Sequence, residues 1–429
     1  MTSTVLVLNV GSSSLKACVI DGQGTCLWRD QRPWHPEAEG EGGGEGGGDG
    51  EGGGVKDDEG NGQRVEGGKA DGIGEEPPPG AGTAPPGSLE AVLAGWLPGA
   101  LAPWLDQLGL VGHRVVHGGE RFVAPIRLTA SVLAELDALL PLAPLHNGPA
   151  LRAIRWLGDR WPHLEAWACF DTAFHADLPP AAYTYALPQA WRANGQRRYG
   201  FHGLNHQHIS EVVAAQPWAA ACRPLRLISC HLGAGCSVAA ILNGRSIATT
   251  MGFTPLEGVV MASRSGSVDP GLLLHLLRHG LSVAELDVGL NRASGLLGLS
   301  GLSGDMAQLR QAAGEGHAGA RLAIDVFRHS LLQAIGAMAA SLGGVDCLAL
   351  SGGIGVHDQA LLGELRQALA WLEPLRWQVI PADEERVIAR SCLEAAGREE
   401  AGREEAGCEA AGCEAAGREE AGCEEAGRS

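Results

Sequence analysis

The sequence predicts an α/β protein built from two similar halves with a ligand-binding cleft between them. Two segments, about two hundred residues apart, each consist of an apolar run, a turn rich in glycine and serine, and a second apolar run. A third apolar run ends in a series of glycines. Such repetition of strand and glycine turn is typical of a duplicated α/β architecture. The three segments are Val5–Asp21, Leu227–Gly244 and Asp346–Gly355.

The turn of the first segment combines residues that suit a phosphate group. Gly11 lets the backbone approach a ligand closely, and the serines at 12–14 offer hydroxyl and amide donors. Lys16 adds a positive charge. Taken alone, the segment fits a simple hairpin equally well, but the second copy favours a nucleoside triphosphate site. No Walker motif is present in the sequence, which argues against a P-loop fold.

The second and third segments extend this pattern. The second closes with Asn243-Gly244, which is typical of a tight hairpin turn. The third is predicted to lead into a helix over Gln359–Trp371, whose free amides and dipole favour phosphate or ribose oxygens. Apolar residues at helical spacing predict further helices over Leu89–Leu108, Ser131–Leu140 and Gly319–Leu342, the last of them buried between layers.

Two tracts lack the apolar side chains that a packed core requires. Residues from about Pro36 to Ser88 are mostly glycine, acid and proline, and they are predicted to form a disordered insertion. From Glu394 the chain repeats units such as Ala401-Gly-Arg-Glu-Glu405, whose five-residue period fits no helix face, so a disordered, solvated tail is expected. The rest of the 429-residue chain is long enough for two domains.

Composition narrows the classes of partner. The net charge of −18 and the acidic low-complexity tracts argue against nucleic acid as a partner. The apolar runs are short or interrupted by glycine and proline, and the N-terminus lacks a basic apolar signal, so a cytoplasmic location without membrane contact is expected. The 11 cysteines include no C-x-x-C pair, which predicts reduced thiols and no zinc ribbon.

Nine motifs follow one another along the chain: Asn9–Lys16, Gly112–Glu120, Ala143–Asn147, Phe170–His175, Arg198–Gly203, His231–Gly235, Met251–Gly258, Arg264–Gly266 and Gly352–Gly355. Together they resemble the motifs of the acetate kinases, members of the actin, hexokinase and Hsp70 superfamily. The resemblance covers about residues 1–35 and 89–393. It implies duplicated ribonuclease-H-like (actin-like ATPase) domains with an interdomain cleft, and reversible transfer of phosphate from ATP to acetate by a homodimer.

The resemblance also implies a domain division. Residues 1–172 are expected to form an N-terminal domain that contains the insertion at about 36–88 and is completed by a return segment at about 386–393. Residues 173–385 are expected to form the C-terminal, nucleotide-binding domain. Residues 394–429 remain as the tail.

Four residues are candidates for the chemistry of phosphoryl transfer, which needs aligned reactants and neutralised oxygen charge. Arg114 and Arg264 lie beyond apolar stretches, and a lone arginine is more often part of a surface salt bridge. The resemblance implies that they hold the carboxylate and stabilise the phosphoryl group in transit. It also implies that His202 donates to the phosphoryl oxygens and that Asp171, at a strand end, orients Arg114 and the metal assembly.

Each of the last two candidates has a plainer interpretation. His202 is also compatible with a core histidine, or with a metal site that includes His206 and His208. Asp171 is compatible with a cap on the following turn. The neighbouring pair His113 and His117 is interpreted as structural, because a strand would separate the two rings.

The metal prediction depends on the resemblance. Glu384 and Asn9 match the residues near the family's magnesium, and Mn²⁺ is an alternative to Mg²⁺. Magnesium held by few protein oxygens, water and ATP phosphates is chemically expected. By itself, Glu384 is typical of the acidic first turn of a helix.

The predicted acetate pocket combines charged and apolar residues. The β-branched Val116 leaves less room than alanine would and therefore favours acetate. One extra methylene is worth only about 1–3 kcal/mol of discrimination, so propionate kinase remains the alternative. The resemblance implies that the substrate-binding residues are Arg114, Val116, Leu145, His146, Phe201 and Pro255.

The nucleotide side departs from the family pattern in three motifs. Ala234 replaces an asparagine, Ala307 replaces an arginine, and Val356-His357 replaces Glu-Asn. We therefore expect weakened or altered nucleotide affinity with the transfer chemistry retained; the alternative is a degenerate nucleotide-binding protein. The predicted nucleotide-binding residues are Ser12, Ser14, Lys16, His231, Leu232, Gly233, Ala234, Gly235, Asp305, Met306, Ala307, Gly353, Ile354, Gly355, Val356 and His357.

Overall fold

A computed structural model describes residues 4–11, 14–34 and 87–401. Nearly all of the predicted insertion, Ser12, and the chain beyond residue 401 lie outside the described residues. The described chain forms two β-sheets flanked by helices. The strands are β1 Thr4–Val10, β2 Ser14–Ile20, β3 Cys26–Pro33, β4 Leu108–Val115, β5 Ile126–Arg127, β6 Glu165–Phe170, β7 Arg226–Leu232, β8 Cys236–Leu242, β9 Arg245–Thr249, β10 Cys347–Ser351 and β11 Arg376–Val379.

The two sheets repeat one topology, so the predicted duplication is confirmed. In the first sheet the order is β3-β2-β1-β4-β6-β5, with β1, β2 and β3 antiparallel and with β4 and β6 parallel to β1. In the second sheet the order is β9-β8-β7-β10-β11, with the same directions. Strand β5 is an additional antiparallel edge on the first sheet.

The hairpin turns also follow the sequence prediction. Asn243 and Gly244 both have positive φ, as a tight hairpin between β8 and β9 requires. In the first hairpin, the Gly11 amide donates to the Ser14 carbonyl at 2.8 Å and closes the turn between β1 and β2. Each of these two hairpins therefore contains a glycine at its turn.

The helices surround both sheets. The α-helices are α1 Leu89–Leu101, α2 Ala130–Ala138, α3 Pro144–Arg160, α4 Pro180–Tyr183, α5 Gln189–Arg192, α6 Gly203–Ala214, α7 Pro270–Arg278, α8 Val283–Arg292, α9 Gly295–Ser300, α10 Met306–Gly314, α11 Ala318–Leu342, α12 Gly352–His357, α13 Gln359–Ala368 and α14 over 384–401. Short 3₁₀ turns lie at Leu105–Gln107, Leu140–Leu142, Ala173–His175, Ala219–Ala221 and Ala370–Leu372. Within the described ranges, no helix has the length and apolar character needed to cross a membrane.

The predicted helices exist, but most end earlier than expected. The chain from Leu89 forms a helix only to Leu101, and a separate 3₁₀ turn precedes β4. The third glycine run is itself the short helix α12, which begins directly at the end of β10. Helix α11, one residue longer than predicted, buries Phe327, Leu331 and Ile335 in the core of the second half.

Helix α14 corrects the prediction of a solvated tail from Glu394. The helix continues to residue 401, and Ala395 and Ala396 are buried against the first sheet together with Ile388 and Cys392. Alanine is a strong helix former, and these two small side chains fit against the sheet, so tertiary packing overrides the unfavourable five-residue repeat. The prediction is thus wrong for residues 394–401.

Gly112, in the middle of β4, makes this packing possible. A Cβ atom on Gly112 would lie 2.7 Å from Ile388 Cγ2 and 2.9 Å from Cys392 Sγ. We expect Gly112→Ala to lower the free energy of unfolding by about 1–3 kcal/mol, because the added methyl overpacks the contact. The measurement is urea denaturation.

A matched control is available on the same strand. A Cβ atom on Gly109 would meet nothing within 4 Å, so Gly109→Ala is expected to change the free energy of unfolding by only about 0.5 kcal/mol. Equal destabilisation by the two substitutions would contradict the packing argument.

Candidate active site

Three polar side chains meet at one edge of the first sheet. Asn9 lies near the end of β1, Arg114 near the end of β4, and Asp171 directly follows β6. These strands are neighbours and parallel, so their carboxyl ends lie side by side, which is where α/β proteins bind ligands.

Arg114 is the centre of this group. Its Nε donates to both carboxylate oxygens of Asp171 at 3.0 and 3.1 Å, and its Nη2 donates to Oδ2 at 2.5 Å. Its Nη1 donates to Asn9 Oδ1 at 3.0 Å and lies 3.8 Å from Glu384 Oε2. The Arg114 side chain is 12% exposed and that of Asp171 is 1% exposed. The guanidinium is therefore fixed in place, with its charge balanced by two carboxylates.

The beginning of helix α14 completes the group from the other end of the chain. The Asn9 side-chain amide donates to Glu384 at 3.2 Å and to Glu385 at 3.1 Å. Burial acts to raise the pKa of Glu384, but Arg114, His231 and Lys16 together lower it below its ordinary value. Glu384 is consequently held as a carboxylate, and Asn9 orients it.

Asp171 depends on its partner for its charge and also joins the two halves. Burial raises the pKa of Asp171, and the Arg114 guanidinium opposes that rise. The Asp171 carbonyl accepts from the Gly203 amide at 2.9 Å, at the first residue of α6. A Cβ atom on Gly203 would lie 2.2 Å from that carbonyl oxygen, so the contact requires glycine. Within the described residues Asp171 caps no helix by its side chain; Thr172 instead accepts from the Gly118 amide.

His202 directly precedes the first residue of α6. It caps that helix in the left-handed conformation, with φ of 57°. Its ring stacks on that of His231, with centroids 4.2 Å apart. Burial, and then His231, lower the pKa of His202 well below its ordinary value, so the ring is neutral. His202 Nδ1 is buried and has no hydrogen-bond partner among the described residues.

Arg264 reaches the same region with its charge uncompensated. Its Nη1 donates to the Pro255 carbonyl at 3.1 Å, and its Nη2 lies 2.7 Å from His146 Nε2. Burial lowers the pKa of Arg264, and nearby Arg114 adds to the effect. Burial and the two arginines lower the pKa of His146 to about 3, so its neutral ring can accept from Arg264. Within the described ranges, no carboxylate lies within 4.0 Å of the Arg264 guanidinium.

A cavity of about 660 Å³ lies beside Arg264 and holds part of the predicted acetate pocket. Leu145, His146 and Arg264 line it. Val116 and Phe201 do not line it; they are buried in the core of the second half. Pro255 contributes its carbonyl oxygen to Arg264.

A second cavity, of about 750 Å³, lies between the second glycine turn, α10 and α12. Its walls place half of the predicted nucleotide-binding residues together. Those that line it are Gly233, Ala234, Asp305, Met306, Ala307, Gly353, Ile354 and His357. Those that do not are Ser14, Lys16, His231, Leu232, Gly235, Gly355 and Val356. Of these, Leu232 is fully buried in the core and His231 instead stacks on His202.

Arg310 is a residue of this cavity that sequence reasoning missed. It lies one helical turn after Ala307 on α10 and lines the same cavity. It donates to Asp358 at 3.1 Å and to Glu364 at 2.8 Å. A cation is therefore present near Ala307, the position where an alanine replaces an arginine, but two carboxylates already balance the charge of this cation. A cavity-facing arginine on α10 could have been found from its helical spacing to Met306.

Three further histidines named in the sequence analysis are buried away from this group. His206 lies 2.8 Å from Ser229 Oγ and 3.1 Å from Ser237 Oγ. Burial lowers the pKa of His113 to about 3 and that of His117 to about 4, so both remain neutral. The structural interpretation of His113 and His117 agrees with these positions.

A metal site of His202 with His206 and His208 is not formed. In the part of the chain that is described, the side chains close enough to share an ion are those of His202, His231 and Glu384, within 4.8 Å of one another. Asn205 contacts His231 Nδ1 at 2.8 Å and fixes that ring, a role that no sequence pattern indicated.

The family profile and the similar proteins agree on one family. A profile of the acetokinase family matches residues 78–391. An acetate kinase of Synechococcus sp. is 48% identical over 308 residues, which are 67% of this chain and 76% of that protein. An acetate kinase of Deinococcus radiodurans is 49% identical over 264 residues, which are 61% of this chain and 66% of that protein.

Solved structures agree in fold. A propionate kinase from Francisella tularensis superposes with a TM-score of 0.74 at 28% identity, over 91% of this chain and 99% of that chain. The Porphyromonas gingivalis acetate kinase superposes with a TM-score of 0.71 at 29% identity, over the same shares of the two chains.

Proposed function

This chain belongs to the acetokinase family, and from that premise we infer that it is an acetate kinase, an enzyme that transfers a phosphoryl group from ATP to a carboxyl group. The observation that carries the inference is the different state of two buried arginines. Arg114 is neutralised by Asp171 and Glu384, whereas the charge of Arg264 is left for a ligand. An uncompensated buried guanidinium beside a cavity is suited to an anionic reactant.

We propose that acetate binds next to Arg264 and His146. Its carboxylate oxygen needs no deprotonation, so no general base is required. That oxygen attacks the γ-phosphorus of ATP in line, the new P–O bond forms, and the bond to the leaving oxygen of ADP breaks. Arg264 stabilises the charge on the transferring oxygens, and neutral His202 donates a hydrogen bond to them from its ring. Arg114, which Asp171 fixes in place, keeps the transferring phosphoryl group aligned with acetate.

Glu384 fits a hard divalent cation. It is a carboxylate whose charge Arg114 favours, and magnesium is commonly held by one or two carboxylates together with water and phosphate oxygens. When bound, Mg²⁺ neutralises charge on the ATP phosphates. Asn9 orients Glu384 by donating a hydrogen bond from its side-chain amide nitrogen. The amide oxygen of Asn9 is already engaged, since it accepts from Arg114. Mn²⁺ is an alternative ion for the same oxygen.

The test is an assay of acyl phosphate formation by the purified full chain. Acetate, propionate and butyrate are compared as acceptors with Mg-ATP as the donor, and acyl phosphate is trapped with hydroxylamine. Acetate is expected to give the highest kcat/KM. A higher kcat/KM for propionate would establish the alternative substrate, and the absence of product with any acceptor would favour a degenerate nucleotide-binding protein.

The nucleotide cavity carries a prediction of its own. Replacing Ala307 by arginine adds a donor to a cavity whose existing cation, Arg310, is engaged by Asp358 and Glu364. We expect Ala307→Arg to lower the KM for ATP by about tenfold, because a hydrogen bond to a charged group is worth about 1.5–3 kcal/mol. Steady-state kinetics at saturating acetate measure the change.

Gln308→Arg is the matched control, since Gln308 is exposed on the same helix and does not line the cavity. It is expected to leave the KM for ATP unchanged. If Ala307→Arg changes the KM for acetate and leaves the KM for ATP unaltered, Ala307 does not belong to the nucleotide site.

We also propose that the enzyme is a homodimer. Helices α7 and α8 are amphipathic, yet neither has a buried residue, and their apolar side chains Leu272, Leu274, Val283 and Val288 are exposed. Contiguous exposed apolar surface is typical of an interface. Sedimentation equilibrium is expected to give twice the mass of the chain, and Leu274→Glu is expected to shift it toward the monomer. A monomeric wild type would refute the proposal.

The predicted cytoplasmic location stays a prediction.

A further inference from the structure

Two buried cysteines lie in contact at the junction between the first sheet and helix α14. Cys169 Sγ and Cys392 Sγ are 3.8 Å apart. Cys169 is 1% exposed and Cys392 is 0% exposed. Both belong to one apolar cluster, and neither takes part in the proposed reaction.

The pair connects the two elements that carry the site's carboxylates. Cys169 is in β6, two residues before Asp171, and is paired with Arg114 in the sheet. Cys392 is on the helix that begins at Glu384. Gly112 creates the space for Cys392, since a Cβ atom there would lie 2.9 Å from its sulfur.

One of the two cysteines borders a cavity. Cys169 lines a cavity of about 500 Å³, to which Ser391 and Ser210 also contribute. The contact with Cys169, and then burial, raise the pKa of Cys392 well above its ordinary value. Cys392 therefore keeps its proton while both cysteines are reduced, and Cys169, which borders the cavity, is the residue that a small oxidant reaches first.

We propose that Cys169 and Cys392 are a site of reversible oxidation by hydrogen peroxide, forming an intramolecular disulfide that couples thiol state to the catalytic carboxylates. The sulfur of Cys169 attacks one peroxide oxygen, an S–O bond forms, the O–O bond breaks, and water leaves. The sulfur of Cys392 then attacks the sulfur of Cys169 and gives up its proton; the S–S bond forms, the S–O bond breaks, and the departing hydroxyl takes that proton and leaves as a second water. Two thiols and one peroxide give one disulfide and two waters.

The disulfide has a mechanical consequence. A disulfide needs the sulfurs about 2.05 Å apart, so β6 and α14 must move toward each other or the side chains must rotate. Displacements of about 1 Å at a catalytic group lower rates by about a hundredfold. We therefore expect oxidation to lower kcat by about tenfold or more, and dithiothreitol to restore it.

The test uses the full chain treated with hydrogen peroxide, followed by digestion without reductant and mass spectrometry. A linked peptide pair containing Cys169 and Cys392 is the expected result. Exposed Cys26 reports that the reagent has acted. Oxidised Cys26 without the linked pair would overturn the proposal.

Variants separate the disulfide from other oxidation. Cys392→Ala and Cys169→Ala are each expected to keep kcat after peroxide treatment, whereas Cys18→Ala, from the same apolar cluster, should remain as sensitive as the wild type. The kcat readout rests on the proposed function, but peptide mapping does not, so an inactive protein still tests the pair. A linked pair with unchanged kcat would refute the coupling to the carboxylates.

Discussion

Replacing Arg264 by alanine is expected to lower kcat by about a thousandfold. Its guanidinium is held by a carbonyl and a neutral imidazole, so its charge remains for the phosphoryl oxygens in transit. Because that charge develops mainly in the transition state, kcat should fall more than the KM values rise. Hydroxamate formation under saturating acetate and Mg-ATP measures the effect.

Arg292→Ala is the control for this prediction. Arg292 lines the same 660 Å³ cavity but is exposed at the end of α8, so its removal is expected to change kcat less than about threefold. Arg264→Lys should recover part of the rate, since lysine restores charge without the planar fork. An Arg264→Ala enzyme within tenfold of wild-type kcat would remove Arg264 from the reaction.

Replacing Asp171 by alanine is expected to lower the free energy of unfolding by about 3–5 kcal/mol. The substitution leaves the buried Arg114 guanidinium without the partner that makes three of its contacts. The freed guanidinium also loses its orientation, so kcat should fall by about a hundredfold. Urea denaturation and the acyl phosphate assay measure the two effects separately.

An exposed ion pair of similar length is the control. Arg155 Nη2 and Asp137 Oδ2 are 2.6 Å apart, but their side chains are 45% and 41% exposed. Solvent screens such a pair, so Asp137→Ala is expected to cost less than about 1 kcal/mol. If Asp171→Ala is no more destabilising than Asp137→Ala, the buried pair does not organise the site.

Removal of Arg114 should also change the pH dependence. Burial raises the pKa of Asp171, and Arg114 opposes that rise. In Arg114→Leu the pKa of Asp171 is expected to rise further, so the carboxyl stays protonated to higher pH. Any residual activity that needs the Asp171 carboxylate should therefore appear only at higher pH than in the wild type. The pH profile of kcat/KM detects this shift.

Part of the site could be predicted from the sequence because local patterns determine it. Apolar runs that end in glycine and serine predicted both hairpins, and the position of Asp171 after such a run predicted its place at a strand end. Strand register and turn type depend on a few neighbouring residues, so these predictions needed no knowledge of the rest of the chain.

Other features depend on contacts between residues far apart in sequence. The bond from Asn9 to Glu384 joins residues 375 positions apart, and that from Arg114 to Asp171 joins residues 57 apart. The partners of Arg310 are also distant in sequence, since Asp358 lies between α12 and α13 and Glu364 lies on α13. The tail was misassigned because burial of Ala395 and Ala396 requires the surface of a sheet formed by the other end of the chain.

The amino-acid sequence alone thus determined the duplicated α/β architecture and the glycine turns, since each depends on local spacing, and the resemblance of its motifs indicated the family. Only the tertiary structure decided which charges remain free. Arg114 and Arg264 are the same residue type after similar apolar stretches, yet one is neutralised by two carboxylates and the other is not. The physical reason is that electrostatic balance in a buried site depends on distances between side chains, which only the folded chain establishes.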